Sequence, residues 1–208
     1  MEIVEHFRSL QGEGKTIGLP TYFVRAAGCN LDCAWCDTQY ARGLGGEEMS
    51  PRQIVALVGD TKHVCVTGGE PLLQPDCAEV LDALVAAGKH VVLETNGSID
   101  VSKVPDSDSI TISMDVKCPK SGMCDRMLLG NIPRLRGKDQ IKFVIFDGSD
   151  LDYAEGVIRE YAPEAECIFS PVGGMDLEPL AEEILSRGLE ARVLPQLHRI
   201  IWGNRESV

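Results

Sequence analysis

The chain has 208 residues, 44% of them hydrophobic, with 32 acidic against 20 basic side chains and a net charge of -12. That is enough chain for one substantial core and a single domain spanning 1–208, and so acidic a surface argues against nucleic acid as a direct ligand, because "PRLRGK" is the only local cluster of cations. No stretch approaches the roughly 20 apolar residues of a membrane span, and the charged opening "MEIVEHFRSL" has no signal-peptide pattern, so a cytoplasmic protein with reduced thiols is expected.

In chain order, "TYFVRA" (21–26) is the first predicted strand, from its run of β-branched and aromatic residues. A helix follows in "SPRQIVALV", with Ser50 as N-cap and Pro51 at the first helical position. Next come the strand "HVCVT" (63–67) and the helix "DCAEVLDALVAAG", closed by Gly88. "HVVLET" (90–95), "ITISMDV" (110–116) and "QIKFVIF" (140–146) read as three strands with no convincing helix between them. The helix "SDLDYAEGVIREYA", the strand "ECIFS" (166–170), the helix "LEPLAEEILSRG" ending on Gly188 and the strand "ARVLP" (191–195) complete the pattern.

Strands alternating with helices predict an α/β fold with a parallel sheet and right-handed crossovers. Eight full βα units need about 250 residues. The expected architecture is therefore a partial, reduced (β/α) barrel of about six parallel strands, with fewer helices than a full barrel. The polar motifs "GGEP", "TNG", "DVK", "SPV" and "QLH" fall at or just past the C-terminal ends of predicted strands. Any one of them is an ordinary turn; together they mark the edge where parallel α/β folds bind ligands.

Cys29, Cys33 and Cys36 form C-x3-C-x2-C just after the first predicted strand and Gly28. Structural zinc takes four protein ligands, and no fourth cysteine or histidine stands nearby. Iron–sulfur clusters are also held by thiolates, normally four. Three would leave one iron of a four-iron cluster open to a substrate or cofactor. Asn30, Asp32 and Asp37 make the loop too polar for a core of buried thiols.

With the aromatic Trp35 before the third cysteine and "GGEP" (Gly68 to Pro71) downstream, the chain resembles the radical S-adenosylmethionine superfamily. "FRSLQGEG", "GLPTYFVRAAGCNLDCAWCDTQYA", "TGGEPLLQ", "LETNG" and "LPQLHRIIWG" further resemble the 7-carboxy-7-deazaguanine synthase family along nearly the whole chain. That resemblance implies ring contraction of 6-carboxy-5,6,7,8-tetrahydropterin to 7-carboxy-7-deazaguanine with loss of ammonia, toward deazapurine bases such as queuosine and archaeosine. It implies a 4Fe-4S cluster, catalytic S-adenosylmethionine and Mg2+ as cofactors, and an electron donor such as flavodoxin or ferredoxin. A homodimer is expected, since a small reduced barrel leaves sheet edges for a partner subunit to cover.

Site roles follow from the same resemblance. Cys29, Cys33 and Cys36 match the cluster ligands, and Thr38 matches a magnesium ligand, the alternative being a threonine that closes its loop by a local hydrogen bond. Gly68, Gly69 and Glu70 match the element that contacts the methionine amino group. Glu94, Ser113 and Lys117 stand on the cofactor side, Glu94 and Ser113 toward the ribose; a simple Asp115–Lys117 pair is the alternative for Lys117. Gln11 and Glu13 offer an amide and a carboxylate for the pterin edge, unless "SLQGEG" is only a surface turn. Arg25, a charge within a strand, needs a partner: a substrate carboxylate, or Glu70 in a structural ion pair. His198 matches a substrate-carboxylate contact, against the commoner structural histidine.

Cys118 and Cys124 in "CPKSGMC", with Cys65, Cys77 and Cys167, are read as thiols without catalytic function. Two other functions share some of these motifs: a radical activase that works on a partner protein, and a zinc- or iron–sulfur-binding module without catalysis.

Overall fold

In the computed structural model, which describes residues 1–43, 45–205 and 207–208, the predicted strands become the parallel part of one sheet. β2 (Pro20–Ala26), β4 (His63–Gly68), β5 (His90–Thr95), β6 (Ile110–Val116), β7 (Gln140–Ile145), β8 (Glu166–Pro171) and the short β9 (Arg192–Val193) pair in sequence order, all parallel. The sheet continues past β2 with β1 (Glu2–Leu10) and β3 (Glu47–Glu48), both antiparallel to their neighbours. Its order, β3-β1-β2-β4-β5-β6-β7-β8-β9, runs from edge to edge without closing, as the reduced barrel predicts.

Local sequence explains where the helices stand. In α1 (Pro51–Val58) Ser50 and Gln53 form a capping box, the Gln53 N–H donating to Ser50 Oγ at 3.4 Å and the Ser50 N–H to Gln53 Oε1 at 2.9 Å. α2 (Cys77–Ala86) is followed by Gly88 with φ of 74°, and α4 (Glu178–Arg187) stops at Gly188 with φ of 63°, conformations that glycine adopts without a Cβ penalty. α3 (Gly148–Tyr161) is capped by the Asp147 side chain, which accepts from the N–H groups of Ser149 and Asp150.

These helices cover the outer face of the sheet. Val66, Leu93, Met114, Phe143 and Phe169 meet Ile54, Val80, Leu84, Leu151 and Ile184 in one buried apolar cluster. Between β5 and β6, and between β6 and β7, short 3-10 turns replace crossover helices, and Val101, Ile132 and Leu135 supply the missing apolar cover.

Three elements escape the sequence reading: β1, β3 and a short terminal helix α5 (Leu197–Trp202). The stretch "EIVEHFRSL" hides its strand because the pairing with β2 shifts between Ile3 and Glu5, which breaks the period-2 alternation on which recognition depends. β3 is two residues long, and α5 is only 6 residues long, too few for a helical period to show.

Candidate active site

Side chains alternate across a strand, so each parallel strand that buries one residue against the helices turns the next to the inner face. On the inner face near the C-terminal edge these residues are polar. Arg25 of β2 is in register with Thr67 of β4, Glu94 of β5 with Ser113 of β6, and Asp115 of β6 with Lys142 of β7. All of these but Ser113, together with the loops beyond the strands, surround a cavity of about 520 Å³.

The cysteine loop occupies one wall. Cys29, Cys33 and Cys36 all line the cavity and are half-buried. The Asn96 amide donates toward Cys29 Sγ at 3.7 Å, and Trp35 stacks on Phe146 with ring centroids 5.7 Å apart. Part of the loop rests on "CPKSGMC": the Ala34 N–H donates to the Ser121 carbonyl at 3.1 Å and the Asp32 N–H to the Met123 sulfur at 3.3 Å. Burial pushes the Cys33 thiol up, with the Lys117 charge opposing it.

Three thiols on one cavity wall, with no fourth protein ligand beside them in sequence, suit a four-iron cluster whose protein ligands bind separate irons. Among the described residues no group of three or more His, Cys, Asp or Glu side chains is gathered around a single-ion position. Cys65, Cys77, Cys118 and Cys167 are buried, and none of them nor Cys124 lines the cavity.

The glycines of "GGEP" explain how that wall is built. The Gly69 N–H donates to the Ala26 carbonyl at 3.0 Å, and the Glu70 N–H to the Gly28 carbonyl at 2.8 Å, so the turn lies flat on the backbone leading into Cys29. A Cβ on Gly69 would come within 2.1 Å of the Gly28 oxygen. Gly68 and Gly69 line the cavity, but the Glu70 side chain does not. It is fully buried and accepts from Thr95 Oγ1 at 2.9 Å and from the N–H groups of Leu72 at 3.0 Å and Asn96 at 2.6 Å.

Ser113 likewise stands behind the wall, its hydroxyl accepting from Gln140 Nε2 at 2.7 Å. Of the residues placed on the cofactor side, the structure thus brings Gly68, Gly69, Glu94 and Lys117 to the cavity and leaves Glu70 and Ser113 behind its wall. The expected alternative for Lys117 is also present, since Lys117 Nζ donates to Asp115 Oδ2 at 2.6 Å.

Gln11, Glu13, Arg25 and His198 all line the same space as the cysteines. "SLQGEG" is therefore no solvent turn. Gln11 is 3% exposed and donates to Glu94 Oε1 at 3.4 Å, while Glu94 Oε2 accepts from Thr67 Oγ1 at 2.8 Å. Glu13 accepts from Gln196 Nε2 at 2.7 Å and is ion-paired with Lys142. His198 packs against Gly12, where a Cβ would meet its Nδ1 at 2.2 Å. Arg25 has an ion-pair partner, but it is Glu5 and not Glu70: Arg25 Nε donates to Glu5 Oε1 at 2.6 Å. Thr38 lines the cavity too, its Oγ1 3.9 Å from Cys36 Sγ.

Lys142 is the residue the sequence reading passed over. Its ammonium pairs with Glu13 and, at 3.2 Å, with Asp115. Burial pushes the Glu13 carboxyl up, but the Lys142 charge and hydrogen bond outweigh it and hold the group below its ordinary value. The same balance keeps Asp115 low, with Lys117 and Lys142 overcoming its burial. Burial would lower Lys142, yet Asp115 and Glu13 carry it well above the ordinary lysine value. A signal was available: one charge in the apolar strand "QIKFVIF" demands a buried partner, the argument that singled out Arg25.

Residues 23–121 match the Radical SAM superfamily. With the open barrel and the three-cysteine wall, this defines a radical S-adenosylmethionine protein. The chain is 47% identical over 204 residues to the 7-carboxy-7-deazaguanine synthase of Methanospirillum hungatei, covering 97% of this chain and 85% of the relative. It is 42% identical to the enzyme of that name from Thermoplasma acidophilum over the whole of both chains. The protein belongs to the 7-carboxy-7-deazaguanine synthase family. Its fold matches the crystal structure of QueE from Escherichia coli with a TM-score of 0.77 at 24% identity, covering 95% of this chain and 94% of that one.

Proposed function

We propose that this chain converts 6-carboxy-5,6,7,8-tetrahydropterin to 7-carboxy-7-deazaguanine with loss of ammonia, acting as one radical S-adenosylmethionine domain. The observation that carries this reading is a single cavity that joins the three-cysteine wall to the polar edge of Gln11, Glu13, Arg25 and His198. The name shared by the relatives supports the substrate. Rearrangement with loss of ammonia needs no net oxidant.

Cys29, Cys33 and Cys36 would hold the 4Fe-4S cluster, with Gly68 and Gly69 giving close backbone approach to the methionine end of S-adenosylmethionine and Glu94 and Lys117 on its flank. When bound there and reduced, this pair supplies a carbon-centred 5′-deoxyadenosyl radical. The protein's part is orientation and exclusion of water. Glu13, kept ionised by Lys142, accepts N–H groups of the pterin, and Gln11 complements its amide edge. Arg25 and His198 take the substrate carboxylate. Glu70 and Ser113 act on the walls and not on the ligands, holding "TNG" and Gln140 in place.

Thr38 is proposed as the protein ligand of Mg2+, a metal that keeps several waters and needs few protein ligands. Its place on the cavity wall beside the cysteines supports this role, although its hydroxyl also makes the local contact to Cys36 Sγ at 3.9 Å. A homodimer is proposed from the outer edge of β1, which among the described residues pairs with β3 only at Glu2 and Ile3. Flavodoxin or ferredoxin is proposed as the electron donor, and the cytoplasm as the compartment. No helix among the described residues is long and apolar enough to cross a membrane.

The test is an anaerobic assay of reconstituted, reduced protein with S-adenosylmethionine, Mg2+ and the tetrahydropterin, read by product mass. The expected result is product in excess of S-adenosylmethionine consumed. Cleavage of S-adenosylmethionine with the pterin returned unchanged would overturn the substrate, and a requirement for a partner protein would favour an activase. Thr38→Ala should weaken Mg2+-dependent turnover while iron content stays at the wild-type level.

A further inference from the structure

The pairing of β1 with β2 departs from regular register at one point. Ile3 lies opposite Ala26, and Glu5, not Val4, lies opposite Arg25. Directly opposed residues of an antiparallel pair project to the same face. Ile3 therefore points with Ala26 into the apolar core, whereas Glu5 points with Arg25 to the other face, where its carboxylate meets the cavity-lining Arg25, Tyr40 and Ser207. On a regular strand, residues two apart would share a face. The extra residue is a β-bulge, a feature that re-aims side chains beside active sites.

The re-aimed carboxylate is heavily used. Its Oε1 accepts from Arg25 Nε at 2.6 Å and from the Tyr40 hydroxyl at 2.7 Å, and its Oε2 accepts from Ser207 Oγ at 2.5 Å. Side-chain exposure is 16% for Glu5 and 14% for Arg25, so the pair is substantially desolvated. A guanidinium carries its N–H donors in a rigid planar fork. With Nε committed to Glu5, the remaining donors are those of Nη1 and Nη2, which make no hydrogen bond to the described residues although Arg25 lines the cavity.

We propose that Glu5 is a positioning residue for substrate: brought opposite Arg25 by the bulge, it fixes the guanidinium through Nε and leaves the Nη edge to grip the carboxylate of the bound pterin end-on. The two hydroxyl donors share the Glu5 charge, so Arg25 retains positive potential for a second carboxylate. This inference rests on the reading of Arg25 as the substrate-carboxylate ligand.

The experiment compares two fluorescent pterins, 6-carboxypterin and unsubstituted pterin, binding to the reconstituted holoprotein with S-adenosylmethionine. Wild type, Glu5→Gln, Arg25→Met and the double variant are measured. Wild type should prefer 6-carboxypterin. Glu5→Gln keeps an acceptor but not the charge, and it should weaken 6-carboxypterin by about tenfold or more while leaving unsubstituted pterin and S-adenosylmethionine unchanged. In the Arg25→Met background the same change should have no further effect, and Glu5→Asp, one methylene shorter, should give a partial loss. Equal weakening of both pterins, or additivity with Arg25→Met, overturns the inference alone. A wild type that does not distinguish the two pterins overturns the reading of Arg25 and this inference with it.

Discussion

The Asn96 backbone N–H donates to Glu70 Oε2 at 2.6 Å, so the "GGEP" turn and the "TNG" turn are joined by one buried carboxylate. The first turn carries the cysteine loop on its backbone, and the second places Asn96 against Cys29. A residue that never reaches the cavity therefore sets the relation between two of its walls.

Glu70→Ala would leave the donors of Leu72, Thr95 and Asn96 unpaired in the interior. The expected cost is about 3 kcal/mol, a fall in melting temperature of about 6–12 °C for a chain of this size. Thermal unfolding of the cluster-free protein measures it. Melting within about 2 °C of wild type would mean that the carboxylate is not the joint between the turns.

Lys142→Met should reverse a pH dependence. In the wild type, Glu13 and Asp115 have lowered values, so their contribution is present above the ordinary carboxylate range and is lost as pH falls through those lowered values. Lys142 is raised, so its contribution is present below the ordinary lysine value and is lost as pH rises through the raised one. The network is intact across neutral pH. Without Lys142, burial and the neighbouring Asp115 would push the Glu13 carboxyl above its ordinary value, at a cost of about 3–5 kcal/mol near neutrality. Stability of the variant should then rise on mild acidification, where wild type shows no gain. Chemical denaturation between about pH 5 and 8 distinguishes the two slopes.

Two glycine substitutions should differ in kind. Gly69→Ala drives a Cβ against the Gly28 and Ala41 carbonyl oxygens, at 2.1 and 2.9 Å, and backbone on both sides cannot yield. Reconstitution should therefore give much less cluster. For Gly12→Ala the nearest atoms to the new Cβ all belong to the His198 side chain, which can swing away. It should keep its cluster while KM for the pterin rises about tenfold, in line with a displaced charge-assisted contact. Iron content together with KM separates these outcomes.

Alanine at Cys29, Cys33 or Cys36 should abolish iron and acid-labile sulfide in the anaerobically reconstituted protein. Cys124→Ser, outside the cavity, should leave both at wild-type levels. Loss of sulfide in Cys124→Ser would assign that thiol to a cluster.

Much of the fold was legible because its strands and helices carry short-range signals. The run of "HVCVT", the Ser50–Pro51 start and the Gly188 stop are each decided within a few residues. β1 was not, because its bulge shifts the alternation by one residue, and that shift is visible only against β2. The missing helices between β5 and β7 were legible as an absence of pattern.

The sequence by itself determined the cysteine spacing, the motifs on the strand ends and the family, since these depend on residue type and order along the chain. Only the tertiary structure decided which charges meet. Arg25 is paired with Glu5 instead of Glu70, Lys142 stands between Glu13 and Asp115, Glu70 is buried behind the cavity wall, and Ser113 is covered by Gln140. The physical reason is that an ion pair is a property of register and of the face to which a side chain projects. Both are set by pairing between strands far apart in the chain, and one inserted residue can change them.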